Sequence, residues 1–395
     1  MTDPAALLER LRAAVGPDHV LTDPALATGY LTDWARRWSG PAVAVVRPDS
    51  TAEVAAVVAA CAAAGVPVLP QGGNTGLVGS SVPAADPGPG GPPVVVSTRR
   101  LTRMDPVDTV AGQMTVGAGV TLADAQRHAS EAGWEYGVDL AARDSATIGG
   151  TIATNAGGIR VIAHGMTRAQ VAGIEVVLPD GTVASHLAGL AKDNTGFDLA
   201  GLFTGSEGTL GIITAARLRL HRPHAPSSVA LIGVQTYDEG LELLPTATVR
   251  GIPLLAAEIV DETGMELAMR VSGQPWPLAS RHPLVLLLEV PDGGTGEGFD
   301  ADVLGDRDVV LGVDAADQAR LWSYRELQSE AFSSYAAEQA GGAAHKLDVS
   351  VPLVHLAECS DEIRRRLPNL RITGEPAYLQ SSFINGIKRM PCAWN

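Results

Sequence analysis

Three glycine-rich stretches carry the residues best suited to chemistry. The first runs Pro70-Gln71-Gly72-Gly73-Asn74-Thr75-Gly76 and on to Gly79. The second, residues 145–158, includes Thr147, Ile148, Gly149, Gly150, Thr154, Gly157 and Gly158. The third is Gly205-Ser206-Glu207-Gly208-Thr209-Leu210-Gly211-Ile212-Ile213. Each places backbone and small polar groups where bulky side chains would obstruct, as enclosure of a large, flat, phosphate-bearing cofactor requires. Successive amides in such a turn form an anion nest. The first stretch lacks both Gly-x-Gly-x-x-Gly and Gly-Lys-Ser/Thr, so it is neither a Rossmann fingerprint nor a nucleotide-triphosphate loop.

A second candidate lies far from these. Arg325 falls on a helix expected over residues 314–336, as a fork for two-point binding of a carboxylate or as a solvated helix arginine. Ser329 lies one turn later on the same helix face. Of the nine histidines none follows His355, and His221 and His224 flank a boundary with no visible partner. Cys61, Cys359 and Cys392 are too widely spaced for a zinc knuckle or a disulfide framework.

The elements that must position these groups follow from pattern and punctuation. Strands are expected at residues 42–46, 66–70, 94–97 and 114–117, and helices at 5–15, 23–37, 50–64 and 121–131. Ser50 with Glu53 has capping-box spacing and Gly65 reads as a C-cap. Pro179-Asp180-Gly181 joins two strands as a hairpin. Arg222-Pro223-His224 marks a boundary, beyond which strands at 229–234, 256–260, 285–290 and 309–311 and a helix at 237–244 form a second α+β domain. With 395 residues there is room for two or three domains. A net charge of −15 argues against a nucleic-acid partner. The start, Met1-Thr2-Asp3-Pro4, is no secretory signal, and no stretch is apolar enough for a transmembrane segment. A cytoplasmic protein is the expectation.

The stretches resemble the flavin-binding domain of the vanillyl-alcohol oxidase superfamily, and more closely the FAD-linked dehydrogenases of D-2-hydroxy acids. Asp193-Asn194-Thr195-Gly196-Phe197-Asp198-Leu199 and the pairing of Tyr324-Arg325-Glu326 with His345-Lys346-Leu347-Asp348 carry the resemblance further. It implies an α+β protein: a two-subdomain FAD-binding domain of the PCMH type at 35–223, behind an N-terminal helical segment at 1–34, then a cap at 224–370. It implies noncovalent FAD, since the first stretch has no histidine for flavin attachment. Residues 72–76 would cradle the pyrophosphate. Thr147 to Gly150, Thr154, Gly157 and Gly158 would line the dinucleotide, with Glu207, Gly208 and Gly211 in the third stretch and Ile212 and Ile213 giving backbone contacts. Arg325, Lys346 and Ser329 would face a small carboxylate substrate, oxidised at C2 with hydride passing to flavin. The electron acceptor is left open, as is a homodimer or partner subunit. A flavoprotein subunit needing such a partner, and an alcohol or sugar oxidase of the same superfamily, stay as alternatives.

Three departures from the family pattern stand out. Thr151 replaces an asparagine, and Ala163-His164-Gly165 replaces Arg-Tyr-Gly. The expected His-x-Gly-Asp-Gly-Asn-x-His and Glu-His-Gly blocks are absent, so no metal site is expected. Residues 371–395 hold two Ala and two Gly, unlike the rest of the chain. A frameshifted gene, a fragment or a lineage loss each fits this tail, the first best. The expectation is an incomplete cap with FAD binding kept and turnover weak or absent.

Overall fold

The computed structural model describes residues 4–249, 251–340 and 350–366. Lys346 and the atypical tail at 371–395 lie outside the described residues. The chain divides into two units: Met1–Gly158 with His164–Pro223, and Ile159–Ala163 with His224–Asn395.

The first unit contains two sheets. Strands β1 (Val20–Leu21), β2 (Ala44–Val46), β3 (Val68–Gln71) and β4 (Val94–Ser97) lie in the order β1-β2-β4-β3, with β2, β4 and β3 parallel. Strands β5 (Gln113–Gly117), β6 (Val171–Val177), β7 (Val183–His186) and β8 (Ile212–Arg219) form an antiparallel sheet in the order β5-β8-β6-β7. The helix Thr51–Ala64 joins β2 to β3 as a crossover, which parallel pairing through β4 demands. It starts where Ser50 accepts from the Glu53 amide at 3.3 Å and stops at Gly65 in the left-handed region (φ 69°). Glu53 returns its carboxylate to the Asp49 amide at 2.9 Å, so the reciprocal bond of the capping box lands one residue earlier than expected. Val54, Val57, Val58 and Cys61 form its buried stripe against the main core. Each aliphatic side chain so buried contributes about 1.5–3 kcal/mol.

The second unit is an antiparallel sheet in the order β10-β11-β9-β12, built from β9 (Ser228–Val234), β10 (Ala256–Asp261), β11 (Leu284–Val290) and β12 (Val309–Gly312). Central strands β9 and β11 are buried along their whole length, so they read as continuous apolar runs rather than alternating ones. Ala230, Ile232, Leu286 and Leu288 pack with Tyr237 and Leu243 of the helix Tyr237–Leu243 on one face. Val229, Leu231, Val285 and Leu287 pack on the other with Met265 and Ala268 of the helix Glu262–Ser272, and Leu321, Trp322 and Tyr324 of the helix Ala315–Glu326.

Several expectations change. The helix expected over 23–37 ends at Leu31. Beyond it the buried Asp33 carboxylate accepts from the amides of Ala35, Arg37 and Trp38, at 3.2, 2.7 and 2.8 Å, and wraps the chain into a loop. The helix expected over 314–336 divides at Leu327 into Ala315–Glu326 and Gln328–Ala340. The helix Glu262–Ser272 was not anticipated, although Asp261 caps its start and Gly273 its end. No described helix is long and apolar enough to cross a membrane.

Candidate functional site

The three glycine-rich stretches, more than a hundred residues apart at their extremes, meet in the first unit. Strand β3 delivers the first of them, anchored by the buried Gln71. Its side-chain amide donates to the carbonyls of Tyr30 (2.8 Å) and Ser81 (2.7 Å), tying down both ends of the turn. Inside the turn Asn74 adopts φ 56°, a conformation asparagine tolerates better than most residues. Its side chain donates to Thr32 O at 2.9 Å and accepts from the Ser81 hydroxyl at 2.7 Å. With the turn so fixed, the amides of Gly73, Asn74, Thr75 and Gly76 donate to no acceptor among the described residues. A run of unengaged donors on a rigid, half-buried turn is an anion-binding concavity.

The second stretch abuts this turn so closely that only glycine fits. A Cβ on Gly73 would lie 1.9 Å from Ser145 O, and one on Gly72 would lie 2.4 Å from Thr147 Oγ1. Thr147 caps the helix Ile148–Ala153, and Gly149 of that helix packs where a Cβ would meet Ala118 at 2.6 Å. Thr154 ends it exposed, with its hydroxyl donating to Gly150 O at 3.0 Å. Gly158 (φ 86°) passes under Asp139 O, 1.9 Å from a hypothetical Cβ, and Gly157 is buried beside it.

The third stretch closes the ring. The amides of Gly205 and Glu207 donate to Ile152 O and Ala153 O, at 3.0 and 2.9 Å. A Cβ on Gly208 would sit 2.9 Å from Pro70 Cγ, returning the contact to the first stretch. A Cβ on Gly211 would sit 2.6 Å from Val177 O, and Ile212 and Ile213 pair with β6 and bury their side chains in the core. Only their backbone is left for any ligand. Among the described residues, four that are not glycine have positive φ: Arg36, Asn74, Asn155 and Glu207. Three of these fall one in each stretch, and such backbone strain concentrates at functional sites. Sequence reasoning missed Asn155, which accepts from the Arg168 amide at 3.0 Å. It also missed Arg168, whose guanidinium holds Thr204 O at 2.6 Å. The Ser206 hydroxyl is buried with no hydrogen-bond partner among the described residues.

Two of the departures resolve as interior packing. Thr151 is buried and donates to Ile148 O at 2.9 Å, so it faces its own helix. His164 is buried, not on the surface, and its ring stacks on His221 with centroids 4.3 Å apart. His221 thus has a partner that its sequence position hides.

In the second unit Arg325 is no solvated helix residue. Its side chain is 16% exposed, and its Nε donates to Glu258 Oε2 at 2.7 Å. Burial pushes the Glu258 carboxyl up, with the Arg325 charge pulling against it. Ser329 is exposed and lies beyond the break at Leu327, so it is not one turn along the same regular helix. Lys346 falls outside the described residues.

The family profile described as FAD binding domain matches residues 42–185, and the one described as FAD linked oxidases, C-terminal domain, matches residues 224–374. The chain is 37% identical over 377 residues to the mitochondrial D-2-hydroxyglutarate dehydrogenase of Bos taurus, covering 92% of this chain and 66% of that protein. It is 36% identical over 359 residues to D-2-hydroxyglutarate dehydrogenase of Xanthomonas citri pv. viticola, covering 89% of this chain and 72% of that one. Against the Bos taurus and Rattus norvegicus relatives the chain spans just under two thirds of their length (66% and 65%). Among solved structures, alkyldihydroxyacetonephosphate synthase superposes with a TM-score of 0.68 at 16% identity, covering 93% of this chain and 76% of that one. p-Cresol methylhydroxylase gives 0.63 at 17%, covering 83% and 71%. These two show the fold, that of the PCMH-type FAD-binding proteins with α+β subdomains.

The cytoplasmic expectation is overturned, because the relatives from Bos taurus, Rattus norvegicus and Danio rerio are mitochondrial by name. The three stretches pack against one another too closely for side chains, the amides of residues 73–76 meet no acceptor among the described residues, and this donor set fits noncovalent FAD. The chain belongs to the FAD-linked oxidase family, in the branch of the D-2-hydroxy acid dehydrogenases.

Proposed function

We propose that this chain oxidises a D-2-hydroxy acid to the 2-oxo acid, with FAD as its electron acceptor. The carrying observation is the ring formed by the three glycine stretches, with the amides of residues 73–76 unengaged at its rim. In this reading the amides of residues 72–76 neutralise the pyrophosphate. Thr147 to Gly150, Thr154, Gly157 and Gly158 line the dinucleotide. Glu207, Gly208 and Gly211 shape the wall through their backbone, as do Ile212 and Ile213. Bound FAD supplies the two-electron acceptor that no side chain can provide.

On the substrate side, Arg325 receives the carboxylate of the acid, with Ser329 and Lys346 as further contacts. A guanidinium suits this task because its planar donors match both carboxylate oxygens. The substrate class is supported by the names of the relatives, several of which are D-2-hydroxyglutarate dehydrogenases. The test is product formation. The FAD-loaded chain is incubated with D-2-hydroxyglutarate and an artificial electron acceptor, and 2-oxoglutarate is trapped as its hydrazone. Product from the D-acid and none from the L-acid supports the reading. Equal yields from both, or product from neither this acid nor D-lactate or glycolate, overturns it.

A further inference from the structure

The face of the second-unit sheet that lies under the helices Glu262–Ser272 and Ala315–Glu326 buries two carboxylates. Register places both on that face. Ala256 of β10 pairs with Glu289 of β11, and Glu258 pairs with Leu287, so Ala256, Glu258, Leu287 and Glu289 all point the same way. Ala256 and Leu287 sit in the core on that side. Each glutamate holds one arginine, and the two pairs differ in which edge of the guanidinium is engaged.

Glu289 meets Arg160 at a terminal nitrogen, with Nη2 at 3.1 Å from Oε1. The same oxygen also accepts from the Ser227 hydroxyl at 2.7 Å. That pair engages the end of the guanidinium that would grip a ligand, as a structural contact does. Glu258 meets Arg325 at Nε instead, at 2.7 Å. Neither terminal nitrogen of Arg325 makes a hydrogen bond among the described residues.

We infer that Glu258 is the positioning residue for Arg325, fixing the guanidinium by its Nε edge so that both terminal nitrogens face the carboxylate of the bound acid. The inference rests on the proposed role of Arg325 in carboxylate binding. The physics is one of pre-organisation. A buried carboxylate on a paired strand has little freedom, and it fixes the plane of a side chain that otherwise has many rotamers. It also gives the arginine a partner while the site is empty, since an uncompensated buried charge is strongly unfavourable.

The test is calorimetric titration of 2-oxoglutarate, the product, into FAD-loaded protein. Wild type is compared with Glu258→Leu, Glu258→Gln and Arg325→Leu, and flavin content and melting temperature are recorded for each. Gln retains an oxygen that accepts from Nε, so it serves as the conservative rescue and as the variant that keeps the fold. Glu258→Leu is expected to bind 2-oxoglutarate at least about tenfold more weakly, as loss of an oriented charge-assisted contact implies. Glu258→Gln is expected to recover most of that loss, with flavin content unchanged in both.

If both Glu258 variants melt earlier yet bind like wild type while Arg325→Leu loses binding, the positioning role is wrong and the substrate role of Arg325 stands. Should Arg325→Leu bind like wild type, or wild type fail to bind at all, the substrate role falls and the inference with it. A Glu258→Gln variant as weak as Glu258→Leu would also overturn the positioning role as stated, because geometry without charge would then count for nothing.

Discussion

Around Gly72, Gly73 and Gly158 in the first unit, the site is made by leaving side chains out. Backbone meets backbone or, at Gly72, the Thr147 hydroxyl at distances no Cβ tolerates, and the polar groups on offer are amides and small hydroxyls. Under the helices of the second unit the reverse holds. Glu258 and Glu289 put carboxyl groups into a buried face and pair them with Arg325 and Arg160. The first arrangement suits a large ligand whose shape and diffuse negative charge must be matched along its length. The second suits a small ligand recognised at one end. The difference also sets what a mutation does. In the first region an added methyl destroys a surface; in the second a lost oxygen strands a charge.

The strongest way to break this contrast is Gly73→Ala. Its Cβ would lie 1.9 Å from Ser145 O, so either the turn or the second stretch must move. Flavin affinity is expected to fall at least about a hundredfold, or about 3 kcal/mol. Flavin retained through gel filtration reads this directly, and near-wild-type retention would mean the turn does not touch the cofactor.

Glu289→Ala probes the other region. Removing it deletes a buried carboxylate that accepts from Arg160 and from the Ser227 hydroxyl, at a cost of about 1–3 kcal/mol. Urea unfolding followed through the tryptophans, read alongside flavin content, should show a weaker second unit and unchanged flavin binding.

Acid acts on the second unit through Asp292. Burial works against its ionised form, but the Ser228 hydroxyl and the amides of Gly298, Gly294 and Gly296 outweigh it and hold the carboxyl below the ordinary range. A carboxylate whose folded pKa is lowered stabilises the fold above the unfolded value, about 3.9, and loses that contribution as pH falls through the folded pKa. Melting temperature is therefore expected to drop below about pH 4, with a flatter profile for Asp292→Asn.

The smallest effect concerns Cys61. Burial in the core beside Val57 and Val58 pushes its thiol up to about 11. It should stay unmodified by a disulfide reagent at neutral pH until the protein unfolds, as peptide mapping after labelling would show.

Local punctuation was legible in the sequence. Ser50 and Gly65 bound their helix as their types require, and the glycine stretches announced close backbone approach. What escaped was set by long-range contact. No local rule says that Gly208 rests on Pro70, or that Glu258 reaches Arg325 across 67 positions. The helix over 23–37 failed because a buried Asp33 gathered three amides into a loop that periodicity cannot see. The helix Glu262–Ser272 was missed despite its cap at Asp261, which falls inside β10 and so reads first as strand.

The central claim, that a D-2-hydroxy acid passes its electrons to flavin held by the glycine ring, is tested most directly without any external acceptor. FAD-loaded protein is mixed anaerobically with D-2-hydroxyglutarate, D-lactate or glycolate, and the visible flavin band is followed. Bleaching by a D-acid, absent with its L-antipode and absent in Gly73→Ala, is the expected result. A flavin band that persists with every acid tested, in protein that retains its full flavin complement, would contradict it.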